Sequence, residues 1–264
     1  MGKYWQILKM RVQIALIYRG NIVLMRLSGL LLLTTLLSMW MSTNHTGQLG
    51  GYSLNSLISY YLVGFLLNSM VFWFCTMRIK TEITEGSLGV NALIKQISYY
   101  GANFFKELGW HLFSPLMGVL TLLIVVGVSG LRPEFNFTVL SFVSFLFSVG
   151  LGSVLFYNLS ASLGVLAFWT TQVGGISSVM WMGVFLLGGQ SIPLSFFPDN
   201  LRKVIDLLPF RYVYSFTLEI YTQKVTNDEL VSGFATQIVW IAATYIVYQL
   251  LWKQGLKKYS AFGG

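Results

Sequence analysis

The chain has 264 residues, of which 55% are hydrophobic and only 10% are charged. Soluble domains carry about 25% charged residues, so this composition excludes an ordinary soluble domain and favours a protein that spans a membrane. The net charge of +8 would suit a nucleic-acid-binding protein, but the placement of the basic residues indicates a different role. Neither the single cysteine, Cys75, nor His45 and His111 stand at a metal-binding spacing, so no metal site is expected.

Residues 1–20 precede the first long apolar run and contain KYWQILKMRVQIALIY. Aromatic and aliphatic residues are mixed there with regularly spaced cations, which predicts an amphipathic helix on the cytoplasmic membrane surface. The alternative is that the first span simply starts early. The charges of Lys9, Arg11 and Arg19 would then be costly inside the bilayer, which favours the surface helix.

Six later stretches are long and apolar enough to cross a bilayer, which requires about 20 mostly apolar residues. In chain order, the predicted spans are Ile22–Met41, Leu54–Thr76, Trp110–Ser129, Thr138–Leu159, Val173–Ile192 and Val231–Trp252. The prediction is therefore an all-α membrane protein in which residues 1–264 form a single domain with six transmembrane helices.

Basic residues predict the orientation, because cytoplasmic segments of membrane proteins carry an excess of Lys and Arg. With six spans, the N-terminus, the 77–109 loop and the C-terminus share one side, which holds 12 of the 17 basic residues and three acidic ones. The other side holds five basic and six acidic residues. Both termini and the 77–109 loop are therefore predicted to be cytoplasmic, and the positive charge is interpreted as an orientation signal rather than a nucleic-acid patch.

The sequence contains no recognisable source of energy for transport. The spans hold almost no ionisable side chain, whereas ion-driven carriers usually keep one in mid-membrane. No G-x-x-x-x-G-K-[ST] phosphate-binding loop occurs, and Leu186–Gln190 (LLGGQ), although similar to the ATPase signature LSGGQ, lies at the end of an apolar span. No catalytic cluster is visible either. The chain is therefore predicted not to be an enzyme, and if it pumps, another chain must hydrolyse ATP.

The 77–109 loop carries a turn signal at Thr84–Leu88, followed over Leu88–Ile97 by apolar residues spaced for one face of a short helix. Such a helix can dock into a cleft of a partner protein, or it can rest on the membrane surface. The spacing alone does not distinguish these two interpretations.

Residues 191–230 contain several helix breakers between short apolar stretches. The pattern predicts a short helix over Asn200–Leu208, a second break at Pro209–Tyr212 and a further short helix over Val213–Tyr221. These pieces are too short for a full span, so they are expected to be re-entrant helices that dip into the outer leaflet between the fifth and sixth spans.

At four places the sequence resembles the permease subunits of type-2 ABC exporters, which have the G-type fold, and within them the bacterial half-size group. These places are the N-terminal KYWQILKMR helix with the following YRGN, the EGSL motif at 85–88 with FKEL at 105–108, the IPLSFFPDNLR and LPFRY motifs at 192–202 and 208–212, and the C-terminal KKYSAFGG. Two positions depart from the family's pattern, since Gln96 replaces a common proline and Asn200 replaces a common tryptophan.

The resemblance implies the missing parts of a pump. Two permease chains, identical or homologous, would pair in the bacterial cytoplasmic (inner) membrane, and two ABC ATPase subunits, which bind ATP and Mg²⁺, would dock below them. The residues to which the resemblance assigns ATPase coupling are Glu85, Gly86, Ser87, Leu88, Leu93 and Lys95. No cofactor is expected on this chain. The rival interpretations are an ion-coupled secondary transporter and a non-transporting membrane scaffold or regulator.

In the fold that the resemblance implies, the second and fifth spans line the substrate path. Residues that share one helical face are Tyr61, Phe65, Asn68 and Phe72 on the second span and Thr171, Gly175, Ser178 and Met182 on the fifth. Met and aromatic side chains make an adaptable apolar surface, so an amphipathic or hydrophobic substrate is expected. The alternative is that these faces only pack helices. An outer gate is predicted at Gly188, Gly189, Gln190, Pro193 and Pro198.

Overall fold

The computed structural model describes residues 2–42, 50–88, 97–131, 133–134 and 138–259, and the regular structure within these ranges is helical. In chain order the α-helices are α1 (Lys3–Ile17), α2 (Arg19–Ser42), α3 (Leu54–Val71), α4 (Thr76–Thr84), α5 (Tyr99–His111), α6 (Ser114–Ser129), α7 (Val139–Val165), α8 (Val173–Leu187), α9 (Asp199–Ile205), α10 (Pro209–Val213), α11 (Ser215–Tyr221) and α12 (Asn227–Lys258). Two short 3₁₀ turns lie at Leu166–Phe168 and Leu194–Phe196. The predicted all-α class is confirmed.

Five helical segments in the described ranges are long and apolar enough to cross a membrane. They are Arg19–Ser42, Leu54–Thr84, Tyr99–Ser129, Val139–Phe168 and Asn227–Lys258. The predicted fifth span contains only the 15-residue helix α8, which is shorter than the about 20 residues that a bilayer requires. α8 ends because Gly188 forms its C-cap and Gly189 then adopts a positive φ of 82°. The count of six spans is therefore not confirmed.

The predicted second span, Leu54–Thr76, is interrupted. α3 ends at Val71 and α4 begins at Thr76, and the residues between them are not helical. We call residues 72–75 the α3–α4 break. The apolar run of the sequence continues through this segment, so the composition alone does not predict an interruption there.

Backbone groups freed at the α3–α4 break are bound by other helices. Cys75 N and Thr76 N donate to Ser160 Oγ on α7 at 3.0 and 3.2 Å. His111 Nε2 lies 3.0 Å from Phe72 O. An interrupted helix is tolerated at membrane depth when its backbone groups find partners inside the protein, and α5 and α7 supply them here.

Most of the predicted 77–109 loop is helical, because α4 continues to Thr84 and α5 begins at Tyr99. The connection is thus limited to residues 85–98, of which 89–96 lie outside the described residues. α5 begins where it does because Ser98 caps it, accepting a hydrogen bond from Gly101 N at 3.3 Å. The predicted third span, Trp110–Ser129, contains all of α6 and lies within the candidate span Tyr99–Ser129.

The helix predicted in residues 1–20 is present as α1, and it packs along α5. The ring of Tyr4 stacks on Phe105 with their centroids 5.1 Å apart, and Tyr4 Oη accepts a hydrogen bond from Ser98 N at 3.3 Å. A methyl group on Gly109 would lie 2.9 Å from Leu8 O, so only glycine permits this approach. The location of α1 on a membrane surface stays a prediction.

α7 is the central helix and packs against α3, α4, α11 and α12. Small residues allow these contacts, because a methyl group on Gly164 would lie 2.7 Å from Ile79 Cβ and one on Gly152 would lie 3.0 Å from Val213 O. The side chain of Asn158 is buried, and its amide nitrogen donates to Ile241 O at 3.0 Å while its amide oxygen accepts from Tyr100 Oη at 2.6 Å. Both polar atoms of this buried amide therefore have hydrogen-bond partners.

Residues 191–230 fold into a 3₁₀ turn and the short helices α9, α10 and α11. The predicted break at Pro209–Tyr212 is wrong, because Pro209 begins α10, at a position where the missing N–H of proline is not needed. Every residue of α11 is buried. α11 is thus part of the packed core, whereas α9 is largely exposed, with only Ile205 buried. The re-entrant placement of these helices in a membrane stays a prediction.

Candidate functional site

The turn that follows α4 holds the first four residues predicted to couple to an ATPase. The side chain of Glu85 is exposed, and Gly86 adopts a positive φ of 75°, which glycine tolerates best. Leu88 is fully buried, Ser87 Oγ donates to Glu82 O at 3.4 Å, and Tyr259 Oη donates to Gly86 O at 3.1 Å. The turn is therefore anchored on its inner side and exposes Glu85. The other two predicted coupling residues, Leu93 and Lys95, lie outside the described residues.

A network of charged and polar side chains joins α4 to α5 directly above this turn. We call it the α4–α5 charge cluster, and its members are Arg78, Glu82, Tyr99, Asn103, Lys106 and Glu107. Arg78 Nη1 lies 2.5 Å from Glu107 Oε1, and Lys106 Nζ lies 3.3 Å from Glu82 Oε1. Glu107 is 5% exposed and Glu82 is 8% exposed, so the charge of each carboxylate is stabilised mainly by its partner cation rather than by water.

Further hydrogen bonds join members of the charge cluster. Tyr99 Oη donates to Glu82 Oε2 at 2.7 Å, and Arg78 Nε donates to Asn103 Oδ1 at 3.2 Å. Sequence reasoning used these charges to predict orientation, and Lys106 and Glu107 also as part of the FKEL motif, but it missed their pairing. A usable signal is the spacing of Arg78 and Glu82, which are four residues apart on one helix, opposite a second helix that carries Lys106 and Glu107.

The predicted path residues of the second span lie inside the chain. Tyr61, Phe65 and Phe72 are buried, with Tyr61 Oη accepting from Trp40 Nε1 at 2.7 Å. Asn68 is half-buried and accepts a hydrogen bond from Gln190 Nε2 at 3.2 Å. This side of α3 therefore packs against α2 and against the segment that follows α8.

The predicted path residues of the fifth span lie on the surface of the chain. We call Thr171, Gly175, Ser178 and Met182 the α8 face. All four are exposed, Met182 to 53%, and a methyl group on Gly175 would have no neighbouring atom within 4 Å. The structure thus does not bring the two predicted sets of path residues together within one chain.

The predicted outer-gate residues form a segment, residues 188–198, that is bound to α3. Tyr60 Oη donates to Gly189 O at 2.7 Å, and Tyr61 Oη donates to Ser191 O at 2.8 Å. Gln190 is only 3% exposed, and its bond to Asn68 adds a third link. Pro193 is buried, whereas Pro198 is exposed at the start of α9. Sequence reasoning missed Tyr60, although two adjacent tyrosines in an apolar run are a signal for buried hydroxyl contacts.

A second ionic group holds α10 and α11 together beside the 188–198 segment. Arg211 contacts Asp206 at 2.6 Å and Glu219 at 2.7 Å, and Ser215 Oγ donates to Glu219 Oε1 at 2.8 Å. Burial alone would lower the pKa of the Arg211 guanidinium, but the two carboxylates outweigh burial and raise it. These charges pair with one another, and in the ranges that the structure describes no group of three or more His, Cys, Asp and Glu is placed to hold a metal ion.

Comparison with known proteins identifies the family. A family model described as ABC-2 family transporter protein matches residues 30–263, which include the turn after α4, the charge cluster, the α8 face and the 188–198 segment. No curated protein and no solved structure was found to match the chain. Permeases of this family are typically non-catalytic membrane subunits, and the family implies partnership with ABC ATPase subunits in a membrane complex. The chain therefore belongs to the ABC-2 family of transporter proteins, and it is a multi-pass membrane permease.

Proposed function

We propose that the chain is the transmembrane subunit of an ATP-driven exporter, in which it forms the substrate path and couples to two separate ABC ATPase subunits. The observation that carries this proposal is the α4–α5 charge cluster. It ties together the two helices on either side of the turn that the resemblance assigns to ATPase docking. The nucleotide and its Mg²⁺ would be bound by the partner subunits.

The coupling route follows from the connections of α4. A force on the exposed Glu85 side of the turn acts on α4, and the ion pairs with Lys106 and Glu107 transmit it to α5, which leads into α6. The α3–α4 break separates α4 and α5 from α3, so these two helices can pivot relative to α3 about the point where Ser160 of α7 holds Cys75 and Thr76. A few residues between two packed elements are the usual position of a hinge.

The α8 face supports pairing with a second permease chain, identical or homologous. Gly175 and Ser178 permit close approach of another helix, and Met182 offers an adaptable apolar surface. The path for an amphipathic or hydrophobic compound then runs between two such faces. The predicted path residues of α3 and the α3–α4 break would join this path when the 188–198 segment moves. They are Tyr61, Phe65, Asn68 and Phe72.

In this arrangement α8 and the residues that follow it complete a sixth span. Both termini and the turn after α4 lie in the cytoplasm of a bacterial cell, and α9 to α11 lie towards the outer leaflet of the cytoplasmic membrane. The excess of basic residues on the cytoplasmic side of this topology supports the orientation.

Docking of the ATPase is tested by changing the turn. Glu85→Arg reverses the exposed charge, and Gly86→Pro cannot adopt the positive φ of Gly86. Both variants are expected to lose at least about 90% of the co-purified ATPase subunit, which corresponds to a tenfold loss of affinity or more. The control is Asn200→Arg, an exposed residue of α9 that should retain the ATPase in full. Transport that persists without any ATPase would contradict the proposal.

The path assignment is tested on α8. Ser178→Leu places a bulky apolar side chain on the α8 face and is expected to change the efflux of apolar substrates severalfold, without loss of the ATPase. The matched control is Ser129→Leu on α6, because both serines are exposed and both donate only to a carbonyl of their own helix, Gly174 O and Val125 O. Equal effects of the two substitutions would count against a path at the α8 face.

A further inference from the structure

A cavity of about 570 Å³ lies between α5, α6 and α7, beside the end of α3. Its volume is within the range of about 300–1,000 Å³ that is typical of small-molecule sites. The described lining residues come from α3, α5, α6, α7 and the segments between them, and none belongs to α8. The cavity is therefore separate from the proposed substrate path.

The wall of the cavity is almost entirely apolar. Side chains that line it include Met70, Trp73, Phe104, Leu108, Pro115 and Val154. Of the polar groups in its wall, Ser153 Oγ donates to Val149 O and Trp73 Nε1 donates to Met70 O, both at 2.7 Å. The ring nitrogens of His111 lie 3.0 Å from Glu107 O and Phe72 O, and a neutral imidazole donates its single N–H to one of these carbonyls. An ordered water needs several polar partners, which this wall does not offer, so an apolar occupant is favoured.

The surface around the cavity identifies the source of that occupant. Leu112 and Phe147 line the cavity and are 57% and 53% exposed, and α6 continues outward with Leu123 and Ile124, which are 65% and 66% exposed. In a multi-pass membrane protein such a surface faces hydrocarbon. The cavity is continuous with this surface, so lipid chains are the molecules that meet it at the highest local concentration.

We propose that this cavity is a binding site for an acyl chain of a bilayer lipid. The bound chain contacts Met70 and Trp73, which lie on the two sides of the end of α3, next to the α3–α4 break. The lipid chain thereby fills the space beside the end of α3 on its lipid-facing side. This inference rests on membrane insertion and not on the proposed transport function.

The test uses the full chain with its co-purified partners, reconstituted in vesicles that contain phosphatidylethanolamine with a diazirine in the middle of one acyl chain. After illumination, peptide mass spectrometry locates the adducts. Adducts at cavity residues are expected to exceed those at the open lipid-facing positions Leu123 and Ile124 severalfold. An even distribution over all exposed apolar positions would overturn the proposal.

Two glycines provide a matched pair of variants. A methyl group on either Gly150 or Gly127 would have no neighbouring atom within 4 Å, but Gly150 lines the cavity and Gly127 does not. Gly150→Phe is expected to reduce adducts at Met70 and Trp73 severalfold by filling the cavity, whereas Gly127→Phe should leave them unchanged. Size-exclusion profiles and melting temperatures verify that both variants fold. A folded Gly150→Phe protein that retains its adducts at Met70 and Trp73 would refute the site.

Discussion

Replacement of Arg78 with alanine is expected to lower the free energy of unfolding by about 3–5 kcal/mol, the usual result of leaving a buried charge without its partner. Glu107 is 5% exposed, and its carboxylate lies 2.5 Å from the guanidinium that would be removed. The substitution also removes the hydrogen bond to Asn103. Unfolding of the purified protein in detergent measures the loss. ATP-dependent transport by the reconstituted complex should fall severalfold, since within the charge cluster only the contacts of Glu82 with Lys106 and Tyr99 would still join α4 to α5.

Two comparisons show whether the ion pair causes this effect. Lys80→Ala alters the same helix at a side chain that forms no ion pair with any residue the structure describes, and it should change stability by less than about 0.5 kcal/mol. Addition of Glu107→Gln to the Arg78→Ala protein removes the unpaired charge and should restore part of the lost stability. If Arg78→Ala were as mild as Lys80→Ala, the charge cluster would not hold α4 to α5.

Gly189→Ala is expected to abolish transport while the ATPase remains bound. Gly189 has a positive φ of 82°, at which an L-residue costs about 1–2 kcal/mol. The added methyl group would also lie 2.9 Å from Ser215 Cβ and 3.1 Å from Tyr60 Oη, so it displaces the tyrosine that donates to Gly189 O. The 188–198 segment would then lose its first link to α3. Substrate efflux and ATPase co-purification, measured on the same preparation, separate this effect from loss of assembly.

Gly130→Ala is the control that distinguishes the effect of backbone strain from the effect of displacing neighbouring side chains. Gly130 has a positive φ of 66°, but a methyl group there would have no neighbouring atom within 4 Å. Gly130→Ala should therefore cost only the strain, about 1 kcal/mol, and retain transport. Gly189→Ala should destabilise the protein at least twice as much. Equal losses of stability, with transport intact in both variants, would show that the contact between Tyr60 and Gly189 is not important.

Continuous apolar runs made some helices predictable from the sequence and hid the interruptions in others. The first span was placed within a few residues of α2, because Ile22–Met41 is mostly apolar, with Arg26 as its one charged residue. The same criterion, a long apolar run, extended the predicted second span through the α3–α4 break. The donors and acceptors that stabilise this break belong to Ser160 and His111, which are distant in the chain, so no local pattern contains them.

Helical periodicity identified which residues share a face but not what that face touches. Phe65 and Ser178 belong to faces with the same spacing, yet Phe65 is buried against α2 and Ser178 is exposed on α8. The difference comes from tertiary packing. The charge cluster illustrates the same limit, because Arg78 and Glu107 are evident in the sequence as charges, whereas their contact depends on how α4 and α5 are placed.

The contact between α1 and α5 also has a consequence for biosynthesis. α1 emerges from the ribosome before α5, but Tyr4 needs Phe105 and Ser98 as partners, and these are made about 80 residues after α1 ends. At about 5–20 residues per second, α1 remains without its partner for several seconds. During that interval the residues of α1 that pack on α5 in the folded chain, such as Tyr4 and Leu8, lack this partner. α1 is thus translated well before α5 and reaches its native contacts only after α5 has been made.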